Sequence, residues 1–177
     1  MKIKHFIFIL SFIVLPSCGS GIRVLDTEAD SGFELSQYKT FDFFMLEGAG
    51  DTTENFVKNA NLIKDSIRKK LQAKGLQPTT ENPDLLVNIG IVVEEKVQTR
   101  QTTIQEAPRY MGQRNYSWKS QEVPVGKYKQ GTVTVHLVEP TSKKMVWTGV
   151  AEGIVPSNEE KLQATIDDGI DRLFEKL

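Results

Sequence analysis

The sequence predicts an α+β domain of two layers, in which two helices cover one face of a four-stranded, mostly antiparallel sheet. Two segments carry apolar residues at intervals of three and four, which is the helical period. Four other segments alternate β-branched or aromatic residues with polar ones, as half-buried strands do. These segments follow the order strand, helix, strand, strand, strand, helix. Since each has one dominant apolar side, a single two-layer packing buries all of them.

The first predicted strand runs from Tyr38 to Met45 and is rich in aromatic residues. The first helix follows, from about Thr53 to Lys74. Gly75 and Leu76 predict a left-handed cap that ends it with a hydrophobic contact. The apolar stripe of this helix consists of Phe56, Ala60, Ile63, Ile67 and Leu71.

Residues 84–97 predict a long strand that is apolar in its first half and polar in its second. This change is typical of a strand that continues past the helix layer. Residues 131–153 then predict two strands joined by a turn at Pro140 and Ser142, with Trp147 in the core.

The last helix begins at a predicted capping box of Ser157 and Glu160. Gly169 lies inside this helix, where glycine costs about 1 kcal/mol relative to alanine, so we expect close packing there. The apolar stripe of the helix consists of Leu162, Ile166, Ile170, Leu173 and Leu177.

The N-terminus has the pattern of a secretory signal peptide. Lys2 and Lys4 precede an apolar run at residues 6–15, which is too short for a membrane-spanning helix of about 20 residues. Residues 15–18, Leu-Pro-Ser-Cys, resemble a bacterial lipobox, and Cys18 is the one cysteine of the chain. The prediction is a lipoprotein signal peptide at residues 1–17, with acyl chains, palmitate among them, on Cys18. A plain signal peptide with an incidental cysteine is the alternative.

The predicted localisation is the outer membrane of a Gram-negative cell envelope. Gly19 and Ser20 follow the cysteine and lack the acidic residue that retains such lipoproteins in the inner membrane. Residues 18–32 are small, polar and acidic, which predicts a flexible tether. Residues 33–177 then form a single domain with an irregular loop at about residues 99–126.

That loop interleaves basic and aromatic residues outside any core pattern. A connection of this length is usually functional or disordered. Arginine and aromatic side chains together suit an envelope protein partner, a glycan or an anionic head group. A solvated connector with incidental aromatic residues remains the alternative. The candidate recognition residues are Arg100, Arg109, Tyr110, Arg114, Tyr116 and Trp118.

Composition and spacing give no argument for catalysis, a metal, a cofactor or nucleic acid. The formal net charge is −1, which favours no polyanionic partner. His136 is the one histidine outside the signal peptide, and a zinc site needs three or four ligands. We therefore expect no enzyme and no cofactor.

Three stretches resemble one family. They are YKTFDFF, DLLVNIGI and GTVTVHLVEPTSKKMVWTGVAEG, and they resemble the bacterial envelope lipoproteins of domain-of-unknown-function family 4136. Gly131, Trp147, Gly149 and Ala151 are its most telling positions, while Thr148 stands where the family usually has arginine. The resemblance covers Phe33 to Leu177. It implies a lipid-anchored envelope protein without an established activity, cofactor or catalytic residue.

The functional prediction is therefore a non-catalytic binding or assembly module, attached to the membrane through Cys18. The alternative is a protein that binds a small molecule or a glycan, or a hydrolase, with its site in the loop at residues 99–126.

Overall fold

The computed structural model describes residues 21–48, 54–106 and 119–177, without the side chains of residues 45–48, 54 and 55. The predicted signal peptide and Cys18 lie outside these ranges, so both stay predictions.

The described residues form one mixed sheet, two α-helices and two short 3-10 helices, at Leu35–Gln37 and Ile104–Glu106. The elements are β1 (Arg23–Ala29), β2 (Thr40–Gly48), α1 (Glu54–Ala73), β3 (Gln77–Pro78), β4 (Leu85–Gln101), β5 (Glu122–Glu139), β6 (Lys144–Ile154) and α2 (Glu159–Phe174). The strand order is β1-β6-β5-β4-β2-β3. Strand β2 is parallel to both β3 and β4, and the other three pairs are antiparallel.

The α+β class is right, but the prediction of a four-stranded, mostly antiparallel sheet is wrong, because the sheet has six strands and mixed pairing. Strand β1 lies in the segment predicted as a tether, and it pairs with β6 from Arg23↔Glu152 to Ala29↔Trp147. The tether prediction is therefore wrong for these residues. β1 is an edge strand whose side chains are mostly exposed, so its sequence shows no apolar alternation.

The core lies between one face of the sheet and the two helices. From α1, Ile67 and Leu71 are fully buried, and from α2, Leu173 and Phe174 are fully buried. Trp147 on β6 is 2% exposed, and its ring lies 5.5 Å from that of Phe174. The predicted helical stripes and the predicted core position of Trp147 are confirmed.

The ends of the helices agree with the sequence at one of the two predicted caps. Gly75 has a φ of +97°, and the amide of Leu76 donates to the carbonyl of Leu71 at 3.1 Å, which confirms the left-handed cap. At the start of α2, however, the amide of Lys161 donates to Oδ1 of Asn158 at 3.0 Å. Asn158 is thus the N-cap, and the prediction of a capping box at Ser157 is wrong by one residue.

Candidate functional site

The long hairpin of β4 and β5 extends beyond the rest of the sheet. Pairing of β2 with β4 ends at Ile91, and pairing of β6 with β5 ends at Gln130. Past these points, among the described residues, the two strands pair with each other, from Glu95↔Lys129 to Gln101↔Glu122. One further backbone bond joins the amide of Val155 to the carbonyl of Lys129 at 2.8 Å. We call residues 95–101 and 122–129 the arm. Seven residue pairs at about 3.3 Å per residue give it a length of roughly 20 Å.

Side chains of the arm are mostly exposed, which confirms that the predicted long strand runs out past the helix layer. Val97 and Val125 are about half exposed, at 55% and 50%. Val125 is the extra residue of a bulge, because Gln98 pairs with Gly126 while Thr99 pairs with Pro124. A bulge bends a two-stranded ribbon and turns its side chains relative to the base.

Ion pairs along the arm hold its charged side chains in place. Nζ of Lys127 lies 2.6 Å from Oε1 of Glu95 across the two strands, and Nζ of Lys96 lies 2.5 Å from Oε2 of Glu94 beside the base. The hydrogen bond from Lys127 lowers the pKa of Glu95, and the hydrogen bond from Lys96 lowers the pKa of Glu94. All four groups are exposed, so these pairs orient side chains more than they stabilise the fold.

Arg100 is the one predicted recognition residue that the structure describes, and it is engaged within the chain. Its guanidinium donates to both carboxylate oxygens of Glu106, with the Nη1–Oε2 distance at 2.8 Å. The same carboxylate accepts from the amide of Thr103 at 2.9 Å. These bonds, that from Arg100 first, lower the pKa of Glu106 to about 2. Arg100 thus fixes the turn that follows β4 instead of presenting a free cation.

The remaining predicted recognition residues lie outside the described ranges. They are Arg109, Tyr110, Arg114, Tyr116 and Trp118. The described part of the chain closes the hairpin before them, because the amide of Thr102 donates to the carbonyl of Gln121 at 2.8 Å and Oγ of Ser120 donates to the carbonyl of Thr102 at 2.8 Å. In the sequence, these residues lie between Glu106 and Lys119, which are the last and first residues of two described ranges.

The predicted irregular loop at residues 99–126 includes strand residues in its described part, so the prediction is wrong for them. Thr99–Gln101 belong to β4, and Glu122–Gly126 belong to β5. Most side chains in these strand segments are polar and exposed, so the sequence lacks the apolar alternation that marks a half-buried strand.

An apolar cleft lies where the arm leaves the domain, between the sheet, the first half of α1 and the middle of α2. Its volume is about 120 Å³. Apolar side chains from β4, β5, α1 and α2 line it, and Ile22 closes one side. Polar side chains on its lining include Asn59 and Thr165.

Three glycines keep this cleft open. Gly131 and Gly153 oppose each other in β5 and β6, and Gly169 faces them from α2. A Cβ atom at Gly169 would lie 3.7 Å from the side chain of Ile22, which is an ordinary contact. The prediction of close packing at Gly169 is therefore wrong, because a methyl group would fit there without strain. Sequence reasoning missed the cleft, because its glycines are far apart along the chain.

A wider polar groove adjoins the cleft and has a volume of about 760 Å³. Asn59, Ile154, Val155 and Leu162 line both. The groove is also lined by charged residues, which are Lys58, Lys127, Lys129, Glu95 and Glu159.

At the opposite end of the sheet, a carboxylate forms hydrogen bonds with backbone amides that stabilise the fold. Oδ2 of Asp84 accepts from the amides of Lys39 and Thr40 at 2.8 and 3.0 Å, and the bond from Lys39 is the main cause of its lowered pKa. Burial raises the pKa of Tyr38, helped by the nearby Glu139. His136 lies on the sheet face away from the helices, since its neighbours Val135 and Leu137 are in the core. No group of three or more residues able to hold a metal ion occurs among residues 21–48, 54–106 and 119–177.

The family's sequence profile, described as a domain of unknown function (DUF4136), matches residues 25–177. The chain belongs to the DUF4136 family. This confirms the resemblance seen in the sequence and extends it toward the N-terminus, as far as Leu25 in β1. Among proteins with curated descriptions, none matches this sequence.

Solved structures share the fold. A DUF4136 family protein from Bacteroides thetaiotaomicron is 15% identical, with a TM-score of 0.53 over 89% of this chain and 96% of that one. A PDZ domain protein from Parabacteroides distasonis is 14% identical, with a TM-score of 0.50 over 87% of this chain. The match spans 34% of the length of that second protein. At these identities the similarity shows the fold alone.

A minor lipoprotein from Acinetobacter baumannii is 13% identical, with a TM-score of 0.36 over 78% of this chain and 90% of that one. This likeness is too low to bear on the function of the DUF4136 chain. In the described part of the chain, neither helix has the length and apolar character needed to cross a bilayer.

Proposed function

We propose that this DUF4136 protein is a lipid-anchored, non-catalytic binding module at the outer membrane of a bacterial cell envelope, and that the arm is its working surface. The arm is the observation that carries the proposal. An isolated two-stranded ribbon is marginally stable in water, so a ribbon that extends roughly 20 Å from the sheet adds little to the stability of the fold. A role in binding would explain why the chain has it.

Among the described residues, no other strand pairs with the outer edges of the arm beyond its base. Such edges accept an extended segment of another chain by strand addition, in which main-chain hydrogen bonds supply affinity. The half-exposed Val97 and Val125 add apolar contact area on the same element. The arm therefore suits a protein partner with an extended segment.

The sequence beyond the arm strengthens this assignment. Tyr110, Tyr116 and Trp118 supply large contact area at a small cost in conformational entropy, and arginine adds stacking and pairing with anions. These residue types dominate the energetic centres of protein interfaces.

The electrostatics also favour binding over catalysis. The pKa values of Glu95 and Glu106 are lowered by exposed ion pairs, and that of Asp84 is lowered mainly by a backbone amide. Catalytic sites instead bring groups with shifted pKa values together in a cleft. The apolar cleft has a different character, since few of its lining side chains are polar.

The test of the arm is a shortened variant in which Asn-Gly replaces residues 98–126. This turn suits a two-residue hairpin between Val97 and Lys127, which pair in the native sheet. We expect the variant to fold, because none of the described residues of the removed segment, 98–106 and 119–126, belongs to the core. Chemical crosslinking in intact cells should lose partner adducts that the wild type forms. An unchanged adduct pattern from a folded variant would refute the role of the arm.

The test of the anchor is Cys18→Ala. Replacing the cysteine should abolish palmitate labelling and release the protein from the membrane fraction, because stable anchoring requires the acyl chains. Equal retention of the variant in membranes would refute the anchor and leave the role of the arm untouched.

A further inference from the structure

The apolar cleft has the dimensions of a site for part of an alkyl chain. Its volume of about 120 Å³ is near that of an engineered apolar cavity of about 150 Å³, in another protein, that stays dry and binds benzene. A cavity of this size holds a small ring or the last few methylene groups of a chain. The walls at Ile63, Ile91 and Ile166 offer no hydrogen-bonding side chain to a polar ligand.

The cleft exists because residues around it lack side chains. A Cβ atom at Gly131 would lie 3.0 Å from Val155, and one at Gly153 would lie 3.1 Å from Ile22. Side chains at these two positions would therefore press on the cleft walls. At Gly169 there is room for a methyl group, so a larger side chain there would extend into the open space.

The mouth of the cleft is polar and carries more positive than negative charge. The adjoining groove is lined by three lysines and two glutamates. Lys58 pairs with Glu159 at 2.7 Å, and Lys127 pairs with Glu95 at 2.6 Å. These pairs are exposed, so an anionic ligand can compete for the lysines at little cost. Lys129 forms no ion pair within the described ranges and is the freest cation of the three.

We propose that the cleft binds the alkyl chain of an anionic amphiphile of the fatty-acid class, and that Lys127 and Lys129 hold its carboxylate in the adjoining groove. The apolar cleft and the groove that contains the lysines are continuous, because Ile154 and Leu162 line both of them. Neither feature alone selects this ligand class, but their continuity matches a chain with a charged end.

The alternative source of an alkyl chain is the acyl group on Cys18. The chain enters the described structure at Gly21, and Ile22 already lines the cleft, so the distance would allow it. An acyl group on the cysteine, however, has no anionic end for the lysines. The charge of the mouth therefore favours a separate amphiphile. Supply of this amphiphile by the bilayer rests on the proposed anchor, whereas its binding to the cleft does not.

The test uses the lipidated full-length protein in vesicles of phosphatidylethanolamine and phosphatidylglycerol. The probe is hexadecanoic acid with a photoreactive diazirine at its terminal carbon. We expect labelling of peptides that contain Gly131, Val155 or Gly169, as mapped by mass spectrometry. A trimethylammonium probe of the same chain length should label these peptides several-fold less.

Two variants and one control separate binding from folding. Gly169→Leu fills the cleft and should reduce labelling at least tenfold, whereas Ala164→Leu, at an exposed position of the same helix, should leave it unchanged. Lys127→Gln with Lys129→Gln changes exposed side chains only, so this variant should fold and lose labelling several-fold.

Full labelling of a folded Gly169→Leu variant, or equal labelling of wild type by both probes, would overturn the proposal. A different result would favour the protein's own acyl chain and also overturn the proposal. In that result the added probe does not label the wild type, but a probe incorporated metabolically on Cys18 crosslinks to the cleft. The outcome does not depend on residues 98–126, which the arm test removes, because the cleft residues, Lys127 and Lys129 lie outside that segment. The membrane fraction of Cys18→Ala tests the anchor separately.

Discussion

Gly149→Ala is predicted to destabilise the domain strongly, although it adds one methyl group. Gly149 lies on the helix-facing side of β6, opposite Val135. A Cβ atom there would lie 2.4 Å from Cη2 of Trp147, 2.8 Å from Cδ1 of Leu173 and 2.9 Å from Cζ2 of Trp147. Carbon atoms in contact prefer separations of about 3.5–4.0 Å, so at least one of these side chains must move.

Neither neighbour has space to move. Trp147 is 2% exposed, Leu173 is fully buried, and the tryptophan ring also packs on Phe174. Overpacking a dense core costs about 1–3 kcal/mol, and we expect the upper end because two buried neighbours are displaced. In a domain of this size 1 kcal/mol lowers the melting temperature by about 2–4 °C, so the variant should melt roughly 6–12 °C lower.

The assay is thermal unfolding followed by circular dichroism, with Gly169→Ala as the matched control. At Gly169 the same methyl group meets Ile22 at 3.7 Å, and the helix gains about 1 kcal/mol from the better propensity of alanine. The control should therefore melt a few degrees higher than wild type. A Gly149→Ala variant that melts within a degree of wild type would refute the packing of Trp147 and Leu173 over this glycine.

Three further predictions concern the fold. Ile63→Asp should unfold the domain, because it places an unpaired charge in the core at a cost of several kcal/mol, whereas the exposed Gln72→Ala should be nearly neutral in urea titrations. Asn158→Ala should cost about 1 kcal/mol in the same titrations through loss of the N-cap, and no change would contradict the cap assignment. The folded-state pKa of Asp84 is lowered, so its contribution is present above its unfolded pKa of about 3.9 and is lost as the pH falls through the folded value. Asp84→Asn should thus destabilise the protein at neutral pH, and unfolding curves of variant and wild type should converge below about pH 4.

The elements whose sequence pattern reflects burial could be predicted. The stripe of α1, the hairpin of β5 and β6, the cap at Gly75 and the core position of Trp147 each follow from local spacing or residue type. The polar second half of β4 indicated that this strand leaves the helix layer, and it does.

The missed features depend on contacts between distant segments. β1 has few buried residues of its own, so its strand conformation follows from the free edge of β6. The parallel pairing of β2 with β4 depends on how α1 crosses the sheet, which neither strand encodes locally. The cleft brings Ile22 together with glycines at 131, 153 and 169, and only the folded chain places them side by side.

The most direct test of the central claim is site-specific photocrosslinking in intact cells. A photoreactive amino acid replaces Val125 on the arm in one strain and Ala164 on the exposed face of α2 in another. The arm position should give a discrete protein adduct that disappears when Tyr110, Tyr116 and Trp118 are changed to alanine, and the helix position should give none. Equal adducts from both positions, or no adduct from the arm in a folded and membrane-associated protein, would contradict the assignment of the arm as the binding surface.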